Sequence, residues 1–427
     1  MKIGIIGAGI TGLGLAYFMK DTKHEFTVIE KRDKPGGELM NTDFVEGFTF
    51  NTGGEHLLWS KYKDILDIFV KVMGKENLYK RTRYAKNFYK GKIIKYPFES
   101  GIGKLNKEDR FEFLRDFIEA KMMKGQFREP KNVVEWFYQY FGKSLSDKYL
   151  IPVNRTWWNI DPKELSVKLV ERIPQPTIDE MIKSTLDMEV TGLKAQATFY
   201  YPKEGGSQTI ADGLFSEVCD FGEYIFNEKV TEIRKKGNKW VVKTDKDYYK
   251  FDKLISTIPL PLLPSVIGTS KDIEEKIGKL KVNSLYTILI ALKKPTMKRV
   301  SWINFGDFIT RASFPANYSP HNVPKGRGMI TTEITFRDKK PKNVEKRAVN
   351  ILVKNGIIKE KDIMFTKLKK NKFAYIVPDN FYYKNIEKIR SYYQRKGLIL
   401  AGRFGYFEYI NIDKCMLSAK EIVEGLK

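Results

Sequence analysis

The stretch that most constrains this chain is its start. Lys2 to Ile6 is a short apolar run, KIGII, which enters Gly7-Ala8-Gly9-Ile10-Thr11-Gly12 and continues with helical spacing to Met19. A second apolar run, Phe26 to Ile29, ends on Glu30. Strand, glycine turn, helix, strand and acid in this register form the dinucleotide-binding fingerprint. Gly7 turns the chain off the strand. Gly9, lacking Cβ, lets a pyrophosphate approach the backbone, and Gly12 lets the helix pack on the sheet. The helix N-terminus then presents unpaired N–H groups and a partial positive charge to phosphate. Glu30 is placed to bind a ribose hydroxyl.

The residues after Glu30 select the cofactor. Lys31 and Arg32 lead to Pro35-Gly36-Gly37, and a further apolar segment leads to Thr52-Gly53-Gly54. This continuation resembles the FAD-binding start of the amine oxidase and protoporphyrinogen oxidase superfamily, and FAD is the expected cofactor. No second GxGxxG is present, so a dedicated NAD(P)H domain is not expected.

The rest of the sequence excludes more than it selects. Its 427 residues, 42% hydrophobic, suffice for a large core and two or three domains. MKIGIIG runs straight into a core strand, so a cleavable leader is not expected. The most apolar stretch, Leu254 to Ile267, carries Pro259, Pro261 and Pro264, so no membrane span is expected and the expected location is cytoplasmic. Cys219 and Cys415 make neither a disulfide framework nor a metal site. The net charge of +24 suggests nucleic acid, but the basic residues are spread along the chain and no nucleic-acid module is visible. An attraction for phosphate-bearing substrates or an anionic surface is compatible with the charge but not shown by it.

Periodicity places helices over 62–73, 107–123, 132–141, 177–186 and 413–426. Strands are expected over 83–96 (a hairpin turning at Lys90-Gly91-Lys92), 197–201, 228–233, 240–244, 253–258, 285–292, 302–305, 329–336 and 398–401. The expected fold class is α/β: a discontinuous Rossmann-like FAD domain (1–77, 203–267 and 396–427), a helical insertion (104–192), and an antiparallel sheet domain for substrate (78–103, 193–202 and 268–395).

Several short segments, in order along nearly the whole chain, resemble UDP-galactopyranose mutases, particularly the eukaryotic type. Gly53-Gly54-Glu55-His56 is similar to the family's flavin loop. Tyr96-Pro97-Phe98 resembles its uracil-stacking YPF segment, and Pro152-Val153-Asn154 through Trp158 its PxN…W segment. Glu171-Arg172 with Pro174, and Arg311 with Asn317-Tyr318-Ser319-Pro320, resemble the two segments that carry substrate arginines. FYYPKEGG, Phe199 to Gly206, resembles the aromatic–Pro–GG segment. Tyr375 and Tyr409 stand where the family has phosphate-binding tyrosines, and Gly402-Arg403-Phe404-Gly405 resembles its C-terminal flavin motif.

The resemblance implies a site. Arg172, Arg311 and His56 would serve catalysis, the arginines clamping a diphosphate through a planar fork. Gly7, Gly9, Gly12, Glu30, Lys31, Gly37, Gly54, Val230, Gly402, Arg403 and Asp413 would hold FAD. Tyr96, Phe98, Asn154, Trp158, Trp302, Tyr318, Tyr375 and Tyr409 would face substrate; for the two tryptophans, packing is the competing reading. No metal is expected. The implied reaction is redox-neutral: reduced FAD, replenished transiently by NAD(P)H, attacks the anomeric carbon of a nucleoside-diphosphate sugar through N5, and the sugar recloses with a different ring size. The implied product, galactofuranose or a relative, would serve cell-surface polysaccharide synthesis, and a homo-oligomer is compatible with this reading. The chain departs from the family at Glu99, Gln196 and Asn304, and its loop at Glu55 is one residue longer. These positions face base or sugar in the family. An FAD oxidase or desaturase with an apolar pocket remains the alternative class, and a non-catalytic flavin-binding protein a third.

Overall fold

The structure, a computed structural model, describes residues 1–123, 125–173, 175–190 and 197–426. Its organising layer is a five-stranded parallel sheet in the spatial order Leu398–Leu400, Lys253–Ser256, Lys2–Ile6, Glu25–Ile29, Glu223–Ile225. Strands from the start, middle and end of the chain thus lie side by side. Ile3, Ile5, Val28 and Ile255 are buried, as the continuous apolar runs of a parallel sheet covered on both faces require.

The helix Ile10–Met19 follows the glycine turn and packs along the terminal helix Ile412–Glu424. Gly14 makes that approach close: a Cβ there would lie 2.7 Å from the Met416 sulfur. A three-stranded antiparallel sheet (Val230–Lys236, Lys239–Thr244, Tyr248–Phe251) adjoins this layer.

The second large sheet has seven strands in the order Ile363–Ile376, Val282–Leu292, Gly328–Phe336, Arg311–Ser313, Trp302–Asn304, Ala85–Tyr89, Lys92–Lys95. The hairpin forms where the sequence places it. Lys90 (φ 47°) and Gly91 (φ 78°) supply the two positive φ angles of a two-residue turn whose twist matches the strands. The 14-residue edge strand Ile363–Ile376 was not expected, because Lys367, Lys369, Lys370 and Lys372 mask its alternation. Lysines on an edge strand discourage pairing with another chain.

The helical insertion comprises Lys107–Met122, Val133–Phe141, Ile151–Trp158 and Ile178–Thr185. Asn106, Asn132 and Thr177 cap three of them by accepting from backbone N–H groups of the first turn. Phe113, Phe117, Phe137 and Phe141 form their shared core. Helices over Gln208–Ser216, Lys271–Gly278, Val344–Lys354 and Asn380–Arg395 lie beyond those read from periodicity. In the last, tyrosines share the buried stripe with isoleucines: Tyr382, Ile386, Ile389 and Tyr393. The α/β class, with a Rossmann-like sheet, helices and a second large sheet, is the architecture expected; that second sheet is mixed rather than wholly antiparallel, because Trp302–Asn304 pairs in parallel with Ala85–Tyr89.

Candidate cofactor and substrate cavity

The glycine turn carries out the roles its spacing assigns. Gly7 has φ +101°. Gly12 lies against the Gly7 carbonyl, where a Cβ would come within 1.9 Å. Around Gly9 the opposite holds: an added Cβ would meet nothing within 4 Å. The helix that starts at Ile10 has no side-chain cap, so its first N–H groups face this opening. Gly36 N–H donates to the Ala8 carbonyl at 2.8 Å, bringing the Gly36-Gly37 turn beside Gly9. Glu30 is buried, and its carboxylate accepts from the N–H of Ala8 (2.8 Å) and of Arg32 (3.0 Å). An open glycine, an uncapped helix start and an acid at the end of the second strand fit a dinucleotide.

From this turn one cavity of about 840 Å³ runs between the two large sheets. At the dinucleotide end its wall includes Gly7, Gly9, Glu30, Lys31, Gly37 and Val230. At the far end it includes His56, Trp302, Arg311, Tyr318, Tyr375, Arg403 and Tyr409. Residues as far apart in sequence as Gly7 and Tyr409, 402 positions, therefore share one wall.

The far end is built around a buried carboxylate. Arg311 donates to Glu333 Oε1 from Nε (2.9 Å) and from a terminal nitrogen (2.6 Å). The Tyr375 hydroxyl donates to Glu333 Oε2 at 2.9 Å. Burial, then the Glu333 charge, raise the Tyr375 hydroxyl well above the ordinary phenol range, so it stays protonated. Arg403 donates to the carbonyls of Ile410 (2.8 Å) and Ala374 (2.7 Å), and its buried Nε has no partner. Its guanidinium carbon lies 4.7 Å from the Tyr409 ring centre. His56 places Nε2 3.2 Å from the Leu39 carbonyl; as the neutral tautomer it donates there. Burial, then the charges of Arg403 and Arg311, lower its pKa to about 4. It faces the cavity as a neutral imidazole.

Other expected residues lie behind the wall. Gly54 (φ +88°) would put a Cβ 3.1 Å from the Glu333 carboxylate, and Gly402 (φ +73°) would put one 2.0 Å from Thr11 Oγ1. Asp413 is buried and accepts from Ser60 Oγ at 2.9 Å. Tyr96 does not line the cavity; Arg83, which does, lies 5.5 Å from its ring centre.

Three more expected substrate residues, Phe98, Asn154 and Trp158, are placed off the cavity wall. Phe98 stacks on Tyr149, ring centres 3.6 Å apart, inside the helical core. Asn154 uses its amide within its own helix, donating to the Leu150 carbonyl and accepting from Trp158 Nε1. Trp158 is 7% exposed and packs edge-on against Tyr409, while its neighbour Trp157 lines the cavity. Consecutive residues of a helix point about 100° apart, so a one-residue difference moves the ring from cavity to core. The side chain of Arg172, and Gln196, lie outside the described residues. Glu99 is buried away from the wall, its carboxyl pushed up to about 7 by burial, and Asn304 donates to Asn87 Oδ1 at 3.2 Å.

Sequence reasoning missed Trp157 and Glu333. Glu333 left a signal: it is the one acid in GMITTEITF, a strand buried throughout. Among the described residues no group of three or more His, Cys, Asp or Glu could hold a metal ion. No helix among them is long and apolar enough to cross a membrane.

The profile of the family described as flavin containing amine oxidoreductase matches residues 10–421. Curated relatives include 4,4'-diapophytoene desaturases (4,4'-diaponeurosporene-forming) of Staphylococcus aureus strains. They are 26% identical over 322 residues, which cover 66% of this chain and 60% of theirs. The chain thus spans about 60% of the length of those relatives. Among solved structures, a reduced UDP-galactopyranose mutase superposes with a TM-score of 0.91 at 24% identity, over 100% of this chain and 95% of that one. An oxidoreductase from Methanosarcina mazei superposes with a TM-score of 0.65 at 18% identity, over 99% and 100%. At these identities the likeness establishes the fold.

Proposed function

The chain belongs to the flavin containing amine oxidoreductase family, and from that premise we propose that it is an FAD-dependent mutase. Its substrate is a nucleoside-diphosphate sugar, UDP-galactopyranose or a relative, whose ring it interconverts between pyranose and furanose. The observation that carries this reading is the charge of the cavity beyond the glycine turn. Arg83, Arg311, Lys372 and Arg403 line it together with Tyr375 and Tyr409. Cations and neutral donors at one end of a recessed cavity suit two phosphates.

Gly7, Gly9 and Gly37 would take the FAD pyrophosphate and Glu30 a ribose hydroxyl. When reduced, the bound flavin supplies a nucleophile, N5, toward the anomeric carbon. The protein's own task is to position and to stabilise charge. Arg311, with Arg172, holds the diphosphate as it leaves the sugar and keeps it in the cavity for return. Tyr409 adds a hydroxyl without charge, Tyr375 gives its one proton to Glu333 and so fixes the carboxylate that orients Arg311, and Trp302 with Trp157 closes the wall around the sugar. His56, neutral, adds no charge of its own. The three-part division of the chain assigns the parallel sheet to FAD and the seven-stranded sheet to substrate. NAD(P)H is the proposed transient reductant.

The second reading, a flavin desaturase or oxidase, draws support from the curated relatives. It calls for a dry apolar tunnel, which the cationic Arg83, Arg311, Lys372 and Arg403 on the cavity wall oppose. Mass spectrometry of small molecules retained by the reduced protein separates the two. A nucleotide sugar retained in preference to an apolar polyene is expected; the reverse preference would favour the desaturase.

A further inference from the structure

Tyr375 and Tyr409 reach the cavity wall from unrelated parts of the chain, and regular structure alone fixes neither. Tyr375 lies near the end of the edge strand Ile363–Ile376, where the ladder with Val282–Leu292 shifts register. Asn371 pairs with Leu285 and Tyr375 with Asn283, which leaves residues 372–374 without a register partner. Tyr409 lies between the π-helical turn Arg403–Phe407 and the helix Ile412–Glu424, in a segment that is neither helix nor strand. The two rings nevertheless meet, their centres 6.1 Å apart. The consecutive tryptophans of the helix Ile151–Trp158 reach one each: Trp157 meets Tyr375 at 6.0 Å and Trp158 meets Tyr409 at 5.3 Å, both edge-on.

Arg403 joins the two backbones. One terminal nitrogen donates to the Ala374 carbonyl at 2.7 Å, in the gap of the ladder next to Tyr375. The other donates to the Ile410 carbonyl at 2.8 Å, next to Tyr409. Ala374 and Ile410 are both buried, so their carbonyls need a partner within the protein. The guanidinium carbon lies 5.6 Å from the Tyr375 ring centre and 4.7 Å from that of Tyr409. A planar fork reaches two acceptors at a fixed spacing, which an ammonium group does not. Tyr375 is anchored a second time, by its hydroxyl on Glu333, which makes the strand the fixed side of this tie.

Resting on the nucleotide-sugar reading, we propose that Arg403 is a positioning residue. It ties the segment of Tyr409 to the strand of Tyr375 and so holds the Tyr409 hydroxyl toward the diphosphate. Its effect on substrate binding therefore passes through that hydroxyl. An arginine that attracted the diphosphate by charge alone, or that served only the flavin, would act independently of Tyr409.

The test is a double-variant cycle read by UDP binding to the FAD-loaded protein. Arg403→Lys keeps the charge but replaces the fork with a single ammonium. It should weaken UDP binding about tenfold in the wild-type background. In Tyr409→Phe, which has no hydroxyl left to misplace, it should weaken binding less than about twofold. Arg403→Gln also removes the charge, and only its excess over Arg403→Lys should persist in Tyr409→Phe. Flavin content and the flavin spectrum serve as folding controls. Equal weakening by Arg403→Lys in both backgrounds, or none in either, overturns the proposal. Loss of flavin from both Arg403 variants would assign the residue to the cofactor and overturn it as well. Absence of UDP binding to the wild type overturns the nucleotide-sugar reading and this proposal with it.

Discussion

Arg311 and Glu333 face each other across two neighbouring strands and meet at 2.6 Å, with Tyr375 closing the other side of the carboxylate at 2.9 Å. Glu333 is 1% exposed. A carboxylate so deep is sustained by its two partners, and it holds the guanidinium in one orientation. Glu333→Ala should therefore destabilise the protein by about 1.5–3 kcal/mol, the range of a charge-assisted hydrogen bond, since Arg311 loses its partner but is 23% exposed to the cavity. The Arg311→Ala/Glu333→Ala double variant should recover part of that loss. Urea unfolding measures both; a loss below about 1 kcal/mol for the single variant, the range of an exposed pair, would mean the pair is not structural.

The same arginine is assigned to the diphosphate. Arg311→Ala and Arg172→Ala should each weaken UDP binding by about 1.5–3 kcal/mol, roughly ten- to a hundredfold. The flavin spectrum should be unchanged. Unaltered affinity in both variants would remove the arginine clamp.

Two glycines of the same turn should behave in opposite ways. Gly9 has open space where a Cβ would go, so Gly9→Val should fold and purify colourless. At Gly12 a Cβ would sit 1.9 Å from a backbone oxygen, so even Gly12→Ala should lower the melting temperature. Acid precipitation of the wild type should release FAD, because nothing in the glycine turn calls for a covalent link. Yellow, flavin-replete Gly9→Val protein would contradict the cradle.

His56 supplies a pH dependence. Its pKa is about 4 in the folded protein against an ordinary 6.5, so the unfolded chain binds the proton first as pH falls. The stability it contributes is complete above pH 6.5 and declines as pH falls from there toward 4, by up to about 3 kcal/mol. Unfolding free energies at pH 7 and pH 5 should differ less in His56→Gln than in the wild type. Equal differences would show that His56 is not buried as a neutral ring.

The dinucleotide half was legible because its chemistry is local. Gly7, Gly9, Gly12 and Glu30 lie within 24 residues, and each spacing has a steric reason. The far half is assembled from distant strands, and there single residues decide. Helix phase sets Trp157 on the cavity and Trp158 in the core, a distinction the pattern WW cannot carry. Phe98 has the right neighbours in sequence but meets Tyr149 in space. The lysine-rich edge strand escaped because an edge exposes what a buried strand hides, and it brings Tyr375 to Glu333. Glu333 gains its importance from a partner 22 positions away, and the local pattern shows only an acid alone in a buried strand, not the arginine it meets.

The central claim is that the flavin works reduced and that turnover is redox-neutral. The direct measurement is anaerobic incubation of dithionite-reduced protein with UDP-galactopyranose and other nucleotide sugars, with flavin absorbance recorded and products separated by chromatography. The expected result is an isomer of unchanged mass, a flavin that stays reduced throughout, and no product from oxidised protein. Flavin reduced stoichiometrically by an amine or polyene, with no sugar isomerised, would contradict the claim.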